Sequence, residues 1–127
     1  MLIRHRNGYH YDWWPDGSTE TKPVGSFDLF ENKVRPEQPL ELWSFGIREE
    51  DNFGKGYGQQ MLREAIAMAG DHDIKLFVES RNAPAIHIYK KMGFVRSGNY
   101  RENAFIGSMI KQRNAKAPEL DTPCGVV

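Results

Sequence analysis

Cysteine is almost missing from this chain: its 127 residues include one, Cys124, in a Pro- and Gly-flanked C-terminal stretch. A lone thiol closes no internal disulfide, which points to a reducing, cytoplasmic setting. Surplus charge is missing as well. Seventeen Lys and Arg balance seventeen Asp and Glu, so the chain lacks the positive excess that a nucleic-acid coat or a polybasic membrane tether needs. No apolar run approaches the ~18–20 residues that cross a bilayer, and residues 1–6 hold no apolar segment of signal-peptide length. Neither a nucleic acid nor a membrane is expected as a partner. Repeats and low-complexity blocks are absent. What remains is 39% hydrophobic and 12% aromatic, enough for one small α+β domain with a real core.

The hydrophobic pattern divides the chain in two. Residues 2–14 place Tyr9, Tyr11 and Trp13 at alternate positions, the period of a strand with one aromatic face. Ordinary sheet packing, an acceptor pocket and an interface are all open to that face. A turn at 15–18 follows, then a strand over 23–30, a loop over 31–39 with two prolines, and a strand over Leu40–Ile47. Beyond a glycine-rich segment, Tyr57, Met61, Leu62, Ala65, Ile66 and Ala69 recur on one helical face and Gly70 stops the helix. Residues 74–78 form a short β run. Asn82 suits a helix N-cap and Pro84 its first turn, with Gly93 closing the helix. Strands over Val95–Tyr100 and 105–110 complete the order β-β-β-α-β-α-β-β, a mixed sheet with two helices. The domain is expected to span 1–111, with a polar tail over 112–127.

The segment Phe53-Gly54-Lys55-Gly56-Tyr57-Gly58 joins a strand to a helix N-terminus. Its three alternate glycines let backbone come close to a ligand, and the free amides and dipole of the helix start favour an anion such as a phosphate. A P-loop needs Ser or Thr after its Gly-Lys, and Lys55 is followed by Gly56; a dinucleotide fingerprint needs two residues where only Tyr57 separates Gly56 from Gly58. A tight strand-to-helix turn with no ligand is the other reading of these residues.

Asn82-Ala83-Pro84-Ala85-Ile86-His87-Ile88-Tyr89-Lys90-Lys91-Met92-Gly93-Phe94 follows a β run and lies downstream of the glycine loop. Together the two segments resemble the GNAT superfamily of acyl-CoA-dependent N-acyltransferases. Gly56 and Gly58 match the glycines of that family's acetyl-CoA loop. Asn82, Ala85, Tyr89, Lys91, Gly93 and Phe94 match its second signature, and the resemblance covers roughly residues 40–111. Three departures stand out. Phe53 occupies the family's Arg/Gln position, the link from Ile47 to the loop is one residue longer, and the first strand and two N-terminal helices, which normally wall the acceptor site, have no counterpart.

The resemblance implies a GNAT-like mixed sheet and direct transfer of an acetyl group from acetyl-CoA to a primary amine, with both substrates bound. It implies that the pantetheine arm lies along Phe45 and Ile47, where the Ile47 amide polarises the thioester carbonyl. It also assigns the loop and first helical turn (Phe53, Gly54, Lys55, Gly56, Tyr57, Gly58, Gln59) and Asn82, Ala85 and Tyr89 to the cofactor. Tyr89 becomes the candidate acid for the leaving sulfur. A phenol of pKa about 10 facing a thiol near 8.5 gives up its proton uphill by roughly 2 kcal/mol, so a strengthening hydrogen bond fits better than full transfer. Core packing is the alternative role for Tyr89.

The acceptor half is less legible. A lysine-like amine must lose a proton, at about 4–5 kcal/mol at neutral pH. Glu41, Asp28, Glu79 and His87 are the groups of suitable type, each equally at home as a solvated side chain, and no base is assigned. The missing helices leave the cleft open, which suits a protein or other large acceptor. The N-terminal aromatic strand, a second copy of the chain in a homodimer, or the substrate itself would complete the site. His5, His10, His72 and His87 show no ligand spacing, so no metal is expected. Two rivals from other classes remain: an acyl-CoA-binding module without catalysis, motivated by Phe53 and the unassigned base, and a pure interaction domain.

Overall fold

A computed structural model describes residues 1–49, 52–100 and 103–112. The strands are β1 (Leu2–Arg4), β2 (His10–Trp13), β3 (Gly25–Phe30) and β4 (Leu40–Ile47), then β5 (Ile74–Glu79), β6 (Val95–Tyr100) and β7 (Asn103–Lys111); the helices are α1 (Tyr57–Ala69) and α2 (Ala83–Lys91). The strands form one sheet in the order β1-β2-β3-β4-β5-β7-β6. Among the described strand pairs only β4 and β5 run parallel, joined by the α1 crossover.

The expected single strand over 2–14 is two strands. Asn7-Gly8 reverses the chain: Gly8 N–H donates to His5 O at 3.0 Å, and the Asn7 side chain accepts from the amides of Tyr9 and His10 at 3.0 Å each. Gly8 sits at φ +86°, where a side chain is strained. A strand therefore does precede the aromatic one, contrary to expectation, and a short turn stands between β1 and β2 where the family has helices. The other elements match within a few residues. Of the expected tail, residues 113–127 with Cys124 lie outside the described residues.

Strand parity assigns the faces. Tyr11, Trp13, Phe27, Leu42, Ile74, Leu76 and Met109 share one face through paired registers, and all are buried. Met61, Leu62, Ala65 and Ala69 of α1 and Tyr89 of α2 pack into the same core, so both helices cover that face. Gly25 makes the approach of α1 close: a Cβ there would stand 2.7 Å from Met61 Sδ. The opposite face carries His10, Asp12, Ser26, Asp28, Glu41 and Lys75. The chain is thus a one-sided sandwich, apolar beneath its helices and polar on the other side.

Candidate active site

A fault in the sheet makes the site. β4 pairs with β5 only at Leu40, Leu42 and the residue between them, Glu41; beyond Leu42 the two strands part. A bulge in β4 sits at the parting. Asp28 opposes Trp43 and Ser26 opposes Gly46, so Phe27 faces both Ser44 and Phe45. Ser44 lies at φ 53°, a left-handed conformation that non-glycine residues adopt at a cost of about 1–2 kcal/mol. The bulge turns Phe45 back onto the core face, where its ring meets Phe27 at 6.1 Å and Tyr89 at 6.2 Å between centroids.

Two cavities flank the gap. On the helix side a cleft of about 360 Å³ is lined by Phe45, Ile47, Gly58, Phe77, Val78, Glu79, Asn82, Ala85, Ile88 and Tyr89. A second, of about 330 Å³, is lined by Leu42, Trp43, Ser44, Phe45, Leu76, Phe77, Val78, Glu79, Tyr89 and Ile106, residues of both strand parities. Phe45, Phe77, Val78, Glu79 and Tyr89 belong to both. The two spaces adjoin where β4 and β5 part, since these five side chains line both; this region is the passage between the strands.

Backbone direction supplies a donor in this passage. Arg48 N–H reaches Val24 O at 2.7 Å on the β3 side. Because successive residues of a strand alternate their amides between its two edges, the Ile47 N–H faces the β5 side, where β5 has already diverged. At the far end of the helix-side cleft, α1 begins at Gly56, which occupies φ 77° and offers no side-chain cap; the first turn holds no acidic residue. Its orphan amides and the positive end of its dipole are uncompensated by the chain itself. Lys55 Nζ stands 5.9 Å from the Tyr57 ring centroid.

α2 is started by Asn82, whose Oδ1 accepts from the Ala85 amide at 3.3 Å, with proline in the first turn. This start presents Tyr89 at the passage, 8% exposed and packed on Phe94 at 5.8 Å. Burial pushes the Tyr89 hydroxyl up to about 12. No polar side-chain atom among the described residues is both fully buried and unpartnered, and Tyr89 has no described hydrogen-bond partner, so its hydroxyl meets the passage. It stays a protonated donor throughout the neutral range.

Of the sequence-predicted cofactor residues, Phe45, Ile47, Gly58, Asn82, Ala85 and Tyr89 come together in the helix-side cleft. Phe53, Gly54, Lys55, Gly56, Tyr57 and Gln59 form the loop and first turn leading to it; Phe53 is 58% exposed. Phe77, Val78 and Ile88 were missed, although alternation along β5 and helical spacing from Ala85 carried the signal. Among the candidate bases only Glu79 reaches the passage. Asp28 accepts from His10 Nδ1 at 2.6 Å, Glu41 accepts from Trp43 Nε1 at 2.9 Å in a separate groove beside Lys75, and His87 is exposed on α2. Strand parity assigns Asp28 and Glu41 to the correct face but too far along it.

The histidines bring a second correction. His5 and His10, without a recognised ligand spacing, face each other across the β1–β2 turn with ring centroids 4.5 Å apart. Asp12 accepts from His5 Nε2 at 2.6 Å and lies 3.1 Å from His10 Nε2. The hydrogen bond to Asp28 does most to raise the His10 pKa, against a smaller opposing effect of burial. For Asp12, burial pulls upward, but bonds from His5 and His10 leave its pKa below the usual value.

Comparison with known proteins agrees with this architecture. An N-acetyltransferase of Bacillus subtilis, YdgE, otherwise uncharacterized, is 27% identical over 97 residues, which are 74% of this chain and 61% of that protein. The chain thus spans less than two thirds of that relative. Spermidine N-acetyltransferase of Vibrio cholerae, in a variant form, superposes with a TM-score of 0.65 at 22% identity, over 81% of this chain and 64% of that one. An N-acetyltransferase of Thermoplasma acidophilum in complex with coenzyme A gives 0.63 at 19% identity, over 81% and 59%. No described helix is long and apolar enough to cross a membrane. The acetyltransferase (GNAT) family model matches residues 2–94, and with the split sheet, the glycine loop and the Asn82-capped helix in their places the chain belongs to the GNAT acetyltransferase family.

Proposed function

We propose that the protein is an acetyl-CoA-dependent N-acetyltransferase, carried by a single domain over 1–111, that acetylates a primary amine by direct attack in a ternary complex. The observation that carries this reading is the parting of β4 from β5, where two adjoining cavities share Phe45, Phe77, Val78, Glu79 and Tyr89. The helix side suits acetyl-CoA. The uncapped start of α1 holds its pyrophosphate through backbone amides, which supports binding even with Phe53 in the place of a polar side chain. The free edge of β4 receives the pantetheine arm as a strand would, and the Ile47 amide donates to the thioester carbonyl as negative charge develops on oxygen.

The amine approaches beside the Trp43–Phe77 ring pair, whose centroids are 4.7 Å apart, and its nitrogen attacks the carbonyl carbon. A C–N bond forms, the C–S bond breaks, and coenzyme A leaves as a thiolate. Tyr89 donates a hydrogen bond to that sulfur. Glu79, at the rim of both cavities, attracts the ammonium form and takes up the amine proton directly or through water. The polar face has no described helix over it, which supports an acceptor presented on a protein or another large molecule.

The test is free-thiol release from acetyl-CoA with a panel of amines, run beside mass spectrometry for the gain of one acetyl group. The panel includes lysine peptides, whole proteins and spermidine, the amine in the name of the Vibrio cholerae relative. Acetyl-CoA binding without thioester consumption across that panel would instead favour a non-catalytic acyl-CoA-binding module, the reading that Phe53 motivates.

A further inference from the structure

The polar face holds a side-chain cluster that the transferase reading leaves unused. Sheet register builds it. His5 and His10 are direct cross-strand neighbours, since His5 N–H donates to His10 O at 2.8 Å. Asp12 follows His10 by two residues and shares its face; Asp28 pairs with His10 in the register of β2 and β3. All four side chains therefore emerge on one side of three adjacent strands. One ligand atom from each of His5, His10 and Asp12 lies within 4.8 Å of the others.

Asp28 holds the far nitrogen of the His10 ring. A carboxylate only accepts, so His10 Nδ1–H donates to Asp28 across 2.6 Å. That bond fixes the ring and aims Nε2 at the Asp12 carboxylate, the carboxylate–histidine arrangement that orients imidazole ligands in metal sites. The partners of Asp12 and Asp28 among the described residues are imidazoles, with no lysine or arginine in ion-pair reach. Asp12 is 16% exposed and Asp28 21%, so the two carboxylates share a partly shielded spot that lacks a permanent cation.

We propose that His5 Nε2, His10 Nε2 and an Asp12 carboxylate oxygen form a binding site for a first-row divalent cation of the Zn²⁺ type, with Asp28 orienting His10. Two imidazoles and one carboxylate suit a borderline cation, and three protein ligands leave one tetrahedral position for water on the open face. The cation would clip the three-residue edge strand β1 to β2 and, through Asp28, to β3. It lies outside the residues that line the passage, so it is a site separate from acetyl transfer.

Chelator-treated full-length protein titrated with ZnCl₂ in a calorimeter tests this directly. One equivalent is expected to bind and to slow amide exchange in the β1–β2 turn. His5→Ala and His10→Gln, at partly exposed positions and checked for folding by circular dichroism, should abolish that binding. Asp28→Asn should weaken it about 10–100-fold, and His72→Ala and Cys124→Ser should leave it intact. Absence of stoichiometric binding, or binding that survives in the His5 and His10 variants, overturns the assignment. Loss of binding in His72→Ala or Cys124→Ser does so equally, by placing the cation elsewhere.

Discussion

Replacing Tyr89 by Phe removes one oxygen and leaves the ring on Phe45 and Phe94, and the structure fixes what that should do. Burial raises the hydroxyl to about 12, whereas a thiol titrates near 8.5, so complete transfer to the departing sulfur is uphill by roughly 5 kcal/mol. The useful contribution is a hydrogen bond to a developing anion. Such bonds are worth about 1.5–3 kcal/mol, which predicts a kcat about 10–100-fold lower in Tyr89→Phe. The KM for acetyl-CoA should change little, because the bond strengthens only as charge reaches sulfur. Stability should move the other way. The hydroxyl meets the passage and has no described partner in the free protein, so Phe removes no hydrogen bond within the described residues and leaves the buried ring in place. Tm is therefore expected to hold or rise. The pH behaviour follows the same logic: a raised folded-state pKa leaves stability intact below about pH 10, with loss as pH climbs through about 12. Tyr89→Phe should lack that alkaline loss. Steady-state thiol release and thermal unfolding, on the same preparations, decide the matter. A kcat within about twofold of the parent, or a fall in Tm that parallels the fall in rate, refutes a donor role and returns Tyr89 to packing.

Three further outcomes test the architecture that positions this residue. Valine ordinarily suits a strand better than glycine, on a scale spanning about 1 kcal/mol, but at Ser44, with φ 53°, the order should invert in denaturant melts; valine at least as stable as glycine would exclude the bulge. Gly25→Ala places a Cβ 2.7 Å from Met61 Sδ and 3.1 Å from Gly46 O. It should cost about 1–3 kcal/mol by overpacking, and combination with Met61→Ala should cost less than the sum of the two. Asn82→Ala, which strips the cap from the Ala85 amide, should lower unfolding free energy by about 1 kcal/mol, and an unchanged melt would mean the cap is idle.

The second half of the chain was legible because its signals are local. The α1 face, the Asn82 cap with Pro84, and Gly93 each act within a few residues of themselves, and together they place Tyr89 on the core side of α2. The first half depends on pairing. Tyr9, Tyr11 and Trp13 show period two only after Asn7-Gly8, and alternation reports which face a residue takes without reporting where the strand turns back. The turn dipeptide was the available sign. In β4 the sign was a slip: the core-facing set runs Leu40, Leu42 and then the half-buried Phe45 and Ile47, one residue late, as a bulge demands. His5 and His10 escaped notice because ligand spacings are rules for helices and tight loops. A contact across a hairpin depends on where the turn falls.

The split between β4 and β5 is tolerable because the load is carried elsewhere. On one side β1 to β4 are held by antiparallel pairing; on the other β5 pairs with β7 along its whole length, from Ile74 opposite Lys111 to Glu79 opposite Ile106. The two half-sheets are joined by the short parallel contact at Leu40–Leu42 and by a core that α1 and α2 cover on one face only. Strand ends with free backbone edges arise where that contact stops, and they arise beside the two helix starts. A sheet zipped along its full length would remove the β4 edge to which the proposed reaction assigns the pantetheine arm. Under the proposed reaction, substitution of Trp43, Phe77 or Glu79, which line the second cavity, should change which amines are used more than it changes acetyl-CoA binding.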